Sequence, residues 1–257
     1  METKIKVMTF NLRVRTEKDG KNCFDFRKEK ILDVIAREDP DLIGFQEASD
    51  TMLKWLKTNL LEYVVLGHGR NENYHGEGIP IAYRRDAFDL HRFEEMWLSY
   101  TPDQPASRME GVGQSKYPRV MVYSELVPAN GDTPIVFCNV HTDHRVDKAR
   151  LAECMMVMQK LFAAKHRFVL TGDFNDRPDS ESILSIVETA DALGTVDATA
   201  EIKGSFHGFS GDVKDRKIDY IFTNLKTDPK SSYAVPDAGE DGVYYSDHAA
   251  LCAFVEI

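Results

Sequence analysis

Two periods alternate along this chain. Residues 4–11, KIKVMTFN, read as a strand, and residues 26–37 then place Ile31, Val34 and Ile35 on one face of a helix. Pro40 stops that helix. The alternation repeats, with a strand over 42–45 and a helix over 51–61 that turns Leu53, Leu56 and Leu60 inward. Strands then dominate, at 63–66, 78–83, 89–97, 119–126 and 133–140. The last two are separated by PANGDT, whose Asn130-Gly131 step predicts a hairpin. A helix over 146–164, a strand over 168–170, a helix over 180–189 and strands over 217–223 and 249–257 complete the pattern. Hairpins mixed with crossover helices imply mixed sheets, so the predicted class is α/β or α+β with two sheets. The connection 99–118, with three prolines and two glycines, is long enough to border a site.

Composition narrows this picture. The 257 residues contain no repeat, low-complexity tract or linker, which predicts one domain over 1–257. No apolar run approaches the roughly 20 residues of a membrane helix, so no membrane anchor is expected. The apolar stretch in METKIKVMTFNLR is too short for a signal peptide, which points to the cytoplasm and a monomeric soluble protein. The four cysteines have neither metal-knuckle nor redox spacing and read as reduced and structural. A net charge of −10 weakens the case for a simple nucleic-acid binder, which needs a basic stripe. It leaves room for an enzyme whose metal ion supplies local positive charge.

Polar residues collect where the predicted strands end. Asn11 ends VMTFN, Glu47 ends DLIGFQE, Glu77 precedes GIPIAYR and His141 ends VFCNVH. Asp173 and Asn175 follow VLTGDFN, Asp219 sits inside KIDYIFT, and Asp247 and His248 open the last strand. Each has a plain structural use: a turn for Asn11, a helix start for Glu47, a buried ion pair for Asp219, a satisfied core histidine for His141. Together they describe one edge of an α/β sheet, where ligand sites form. Carboxylate and amide oxygens suit Mg²⁺ or Mn²⁺ better than zinc, and two histidines supply an acid and a base. The sequence has no nucleophile elbow and no phosphate-binding glycine loop, which argues for water attacking a phosphoester.

The ordered series TFN (9–11), QE (46–47), NVH (139–141), GDFN (172–175), IDYI (218–221) and SDH (246–248) resembles the endonuclease/exonuclease/phosphatase superfamily. That group includes deoxyribonucleases, abasic-site endonucleases, sphingomyelinases and inositol-polyphosphate 5-phosphatases. The resemblance implies a four-layer sandwich of two mixed sheets flanked by helices, with one Mg²⁺ or Mn²⁺ site at one edge. By the same resemblance Glu47 is the main metal ligand with Asn11 beside it, and Asp247 assists metal or water. Asp173 orients or deprotonates the water, Asn175 positions it, and His248 contacts the phosphate, oriented by Asp219. The histidine at 141 is the deoxyribonuclease and sphingomyelinase version, with Glu77 as its supporting partner. Arg119 in YPRVMVY is a phosphate-binding candidate, and SFHGF places Phe206 and His207 near substrate. The segment 97–108 resembles a bacterial subgroup whose motifs assign no substrate. The basic residues of inositol-phosphate members are not evident in the sequence. The expectation is therefore a phosphodiesterase acting on nucleic acid or a small diester. A phosphomonoesterase on a sugar or inositol phosphate is the alternative, and a non-catalytic binding module is less favoured.

Overall fold

The computed structural model describes residues 3–164, 166–188, 194–237 and 239–257. Strand β1 (Lys4–Asn11) leads through helix α1 (Phe24–Glu38) to β2 (Leu42–Gln46), then α2 (Asp50–Asn59), β3 (Tyr63–Leu66) and β4 (Ile81–Arg84). The chain continues as β5 (Phe88–Trp97), β6 (Val120–Pro128), β7 (Ile135–His141), α3 (Asp147–Ala164), β8 (Arg167–Asp173) and α4 (Glu181–Glu188). Short β9 (Val196–Asp197), β10 (Asp219–Thr223), β11 (Lys226–Thr227), β12 (Tyr233–Ala234) and β13 (Leu251–Glu256) follow.

One sheet has the order β11-β13-β1-β2-β4-β3, with β12 also on β13; the other has the order β5-β6-β7-β8-β10-β9. Each holds one parallel pair, β1–β2 and β7–β8, joined by a crossover helix, and the remaining pairs are antiparallel. Side-chain alternation along the strands builds the layers. Ile135, Phe137, Val169 and Ile221 face Val7, Leu42 and Ile81 between the sheets. Their neighbours Val136, Cys138, Phe168, Leu170, Tyr220 and Phe222 face α3 and α4 on the outside. Met8, Phe10, Ile43 and Phe45 do the same under α1 and α2. Three apolar interlayers make four layers, and the central strands of each sheet are apolar on both faces.

Polar groups also cross the middle layer. Asn139 donates from Nδ2 to the carbonyls of Phe45 and Ile79 at 2.6 and 3.1 Å, and its Oδ1 accepts from Gln46 Nε2 at 2.8 Å and Thr171 Oγ1 at 3.1 Å. Gly44 makes room for this bridge, since a Cβ there would lie 2.0 Å from Thr171 Oγ1.

Most predicted elements stand within a few residues of their expected bounds. Residues 78–80 precede β4 and only bridge to Ala48 and Gly69, 217–218 precede β10, and 249–250 precede β13. Met52 and Leu56 take the fully buried positions on α2, with Leu53 partly covered. The predicted end of the helix over 180–189 lies at residue 189, outside the described residues. Strands β9, β11 and β12 have two residues each, too short to show a period in sequence. The four cysteines are buried and unpaired. Among the described residues, no helix is long and apolar enough to cross a membrane.

Candidate active site

Parallel strands end at the same edge, so β1, β2, β7 and β8 deliver Asn11, Glu47, His141 and Asp173 together. Register completes the row: Asp173 lies opposite His141 on β7 and Asp219 on antiparallel β10. The approach to β13 brings in Asp247 and His248, bridged to Phe206 from the preceding loop. Two strand exits turn through left-handed backbone, at Glu47 (φ +60°) and Asn175 (φ +51°), a conformation non-glycine residues avoid and functional sites collect. Glu47, His141, Asp173, Asn175, Asp247 and His248 line a cavity of about 380 Å³ together with Arg13, Arg70, Tyr117, Arg119 and His144, with Asn11 and Asp219 behind them.

Asp173 is the hub. Its Oδ1 accepts the Asn175 backbone N–H at 2.9 Å, and its Oδ2 accepts from Asn11 Nδ2 at 2.9 Å. His141 Nε2 and His248 Nε2 flank that same Oδ2 at 3.6 and 3.8 Å. Burial, and then the charge of Asp219, push the Asp173 carboxyl up to about 7. The two histidines diverge. Burial lowers His141 well below its ordinary value, reinforced by Arg119 and Arg70. Burial opposes charge on His248 too, but the Asp219 carboxylate 2.8 Å from Nδ1, with Asp173 and Asp247 nearby, lifts it to about 10. One imidazole is neutral and the other cationic, on either side of one carboxylate. Among the described residues, Asp219 Oδ1 and His141 Nδ1 are buried without a hydrogen-bond partner.

An acidic lobe lies beside the hub. Glu47 Oε2 accepts the Val14 N–H at 2.8 Å, and its Oε1 accepts from Asn11 Nδ2 at 3.2 Å. Asp247 is raised by burial, and the nearby Glu47 charge adds to the shift. Ligand atoms of Glu47, His141 and Asp173 lie within 4.8 Å of one another. Two carboxylates and a neutral imidazole at that spacing fit a hard divalent cation, which would also relieve the mutual repulsion of Glu47, Asp173 and Asp247. Asn11 departs from the expected ligand role: it points its amide N–H groups at Glu47 and Asp173, and its Oδ1 accepts the Arg13 N–H at 2.9 Å. Asp247 stands outside the three-residue set, 3.7 Å from Arg13 Nε.

Two other expected residues have closer partners elsewhere. Glu77 Oε1 lies 3.8 Å from His141 Nδ1 but 2.8 Å from Arg70 Nη1. A permanent guanidinium charge outcompetes an imidazole that burial keeps neutral. His207 does not line the cavity: its ring packs on Tyr244 at 5.1 Å and its Nδ1 accepts the Gly211 N–H. Phe206 does line it, edge-on to His248 at 4.9 Å.

Sequence reading picks out Arg119 but not the basic wall around it. Arg119 is buried, with Nη2 donating to His144 Nδ1 at 3.0 Å and Nε without a partner among the described residues. Arg70 lies 5.0 Å over the Tyr117 ring, and burial lowers its pKa. Arg13 projects from left-handed backbone (φ +56°) and grips Asp19 through two bonds of 2.9 and 3.0 Å. The signal for Arg70 is faint, a cation in the glycine-punctuated loop GHGRNENYHGEG. Arg13, two residues past Asn11, was readable as a strand-exit cation.

Comparisons place this arrangement among known proteins. The sequence profile of the Endonuclease/Exonuclease/phosphatase family matches residues 8–248. An endonuclease/exonuclease/phosphatase family protein of Bacteroides thetaiotaomicron has a similar structure, with a TM-score of 0.89, 24% identity, and coverage of 100% of this chain and 99% of that one. The mannosyl-6-phosphatase of B. thetaiotaomicron VPI-5482 is similar at a TM-score of 0.85 and 24% identity, covering 98% and 99%. An uncharacterized protein of Acanthamoeba polyphaga mimivirus is 23% identical over 211 residues, 76% of this chain and 78% of the viral one.

Proposed function

The chain belongs to the endonuclease/exonuclease/phosphatase family, whose members are hydrolases of phosphoester bonds, and on that premise we propose that it hydrolyses a small phosphoester by direct attack of water with Mg²⁺ or Mn²⁺ bound. The observation that carries this reading is the placement of Asp173 between a neutral His141 and a cationic His248. Pairs of titratable groups pushed apart in pKa mark the acid and the base.

Glu47, with His141 and Asp173, would hold the cation, which when bound draws charge from a phosphoryl oxygen. Asp173, its Oδ1 held by the Asn175 N–H and its Oδ2 flanked by both histidines, is placed to take a proton from the attacking water. The Asn175 and Asn11 hydrogen bonds fix the direction of that carboxylate. His248 keeps Nδ1 on Asp219, which leaves Nε2–H to donate to the phosphate or the departing oxygen. Arg119 Nε, buried and without a partner among the described residues, offers a charged donor to a non-bridging oxygen.

The wall bears on the ester class. A diester was expected first because basic residues were not evident in the sequence. Arg13, Arg70 and Arg119 on one cavity supply positive charge suited to a dianionic phosphomonoester, and we place a monoester of a small alcohol ahead of a diester. The likeness to a mannosyl-6-phosphatase supports this order. The test is a panel of alkyl and sugar monophosphates, an aryl diester, plasmid DNA and RNA, each with Mg²⁺, Mn²⁺ and EDTA. Metal-dependent release of inorganic phosphate from monoesters supports the proposal. Cleavage of the diester or nucleic acids alone moves it back to a phosphodiesterase, and no turnover of any substrate moves it to a binding module.

A further inference from the structure

Helix α3 carries a buried carboxylate for which the proposed chemistry has no use. Glu153 is fully buried, in a helix whose neighbouring inward positions are Cys154, Val157 and Met158. An apolar residue would be ordinary there, and a buried carboxylate costs free energy unless its oxygens are satisfied. Among the described residues, each oxygen holds a different segment. Oε1 accepts from Gln114 Nε2 at 2.6 Å, and Oε2 accepts the Asp143 backbone N–H at 2.7 Å.

Those two segments are the ones that build the basic wall. Gln114 also accepts the Met109 N–H at 2.7 Å, and the next residue, Ser115, donates its N–H to Asp143 Oδ2 at 2.9 Å. Tyr117 and Arg119 follow directly on that strand approach, and His144 follows Asp143. Where the segments meet, Arg119 Nη2 donates to His144 Nδ1 at 3.0 Å, and the rings of Tyr117 and His144 lie 5.8 Å apart. A single carboxylate thus ties both halves of the wall to one turn of α3.

We infer that Glu153 is a positioning residue for substrate binding: it sets Arg119, Tyr117 and His144 at the spacing that receives the phosphate. The inference rests on the reading of that wall as substrate-facing. It separates binding from chemistry, because Asp173, Asp219 and His248 are held by other bonds.

Glu153→Gln tests it. An amide at 153 turns an N–H group toward either Gln114 Nε2 or the Asp143 N–H, so one of the two ties is lost. In the Mn²⁺-loaded protein, the Kd for inorganic phosphate should rise about tenfold, as expected for one charged hydrogen bond. The KM for p-nitrophenyl phosphate should rise in step, with kcat within about twofold of wild type. The exchange Gln114→Glu with Glu153→Gln rebuilds the pair in reverse. The carboxylate then at 114 can accept from the amide then at 153 and from the Met109 N–H, while the oxygen of that amide accepts the Asp143 N–H. The exchanged protein should recover wild-type phosphate affinity, and Gln114→Leu should reproduce the loss from the loop side. A folded Glu153→Gln protein that binds phosphate like wild type overturns the inference. So does a loss confined to kcat, or an exchanged protein that folds but stays weak. If Glu153→Gln does not fold, the exchange and Gln114→Leu decide by the same affinities. Phosphate binding is read without turnover, so a wild type that binds phosphate but hydrolyses nothing refutes the hydrolase proposal alone.

Discussion

Asp219→Asn removes one charge and almost no volume from the most buried pair of the site. Against the effect of burial, the Asp219 carboxylate 2.8 Å from Nδ1, with Asp173 and Asp247 nearby, pushes His248 up to about 10 in the wild type. If the asparagine lets His248 fall back to the ordinary 6.5, the lost stabilisation of the cation is ~5 kcal/mol. At pH 8 the protonated fraction then drops from nearly all to about 3%, so a step needing the Nε2 proton slows about 30-fold. Misorientation of the ring adds to this. The assay is phosphate release from an alkyl monoester, whose leaving oxygen requires a proton, followed as kcat from about pH 5.5 to 10. Wild type should hold its rate until pH approaches 10, and Asp219→Asn should decline from about 6.5. Stability follows the same sign. A raised histidine pKa stabilises the fold fully below 6.5 and loses that contribution as pH climbs through about 10, and the variant should lack this slope. An alkaline limb that stays in place, or a loss below about threefold at pH 8, refutes the assignment of His248 as a cation held by Asp219.

Other expectations follow from the same geometry. Glu47→Gln should weaken Mn²⁺ binding by about tenfold or more in calorimetry, and unchanged affinity would remove Glu47 from the metal site. Asn139→Leu removes the side-chain donor to the Phe45 and Ile79 carbonyls between the sheets, and should cost about 3 kcal/mol or more in urea unfolding. Asp173 and Glu153 both carry carboxyls raised to about 7, chiefly by burial. Each is most stabilising when protonated, so metal-free protein should lose melting temperature from about pH 4 to 7 and level off above, and added Mg²⁺ should restore part of the loss above pH 7. A flat profile in EDTA counts against both.

The layers were legible because each central strand is a short apolar run buried on both faces, whereas each helix is a longer segment with one apolar stripe. Asp219 was legible for a related reason, since a charge between Ile218 and Tyr220 demands a partner, and His248 supplies it. Hydrogen-bond choices were less accessible. Glu77 stands within reach of both His141 and Arg70, and only three-dimensional placement reveals that the guanidinium wins. His207 and Phe206 are adjacent in sequence, yet only Phe206 faces the cavity. The basic wall was hidden because its members come from separate loops, which have no period and no local signal of convergence. Glu153 sat unnoticed in a helical pattern that reads well with or without it.

The central claim, water attack managed by Asp173 at a metal-loaded phosphate site, is tested most directly by Asp173→Asn. The variant is nearly isosteric and keeps an oxygen for Asn175, but it cannot take a proton at neutral pH. Turnover of an alkyl phosphate should be compared at saturating Mn²⁺, with bound metal and bound inorganic phosphate measured on the same samples. The account predicts kcat lower by about 100-fold or more with both ligands still bound. A variant that retains both ligands and turns over within about tenfold of wild type would contradict it.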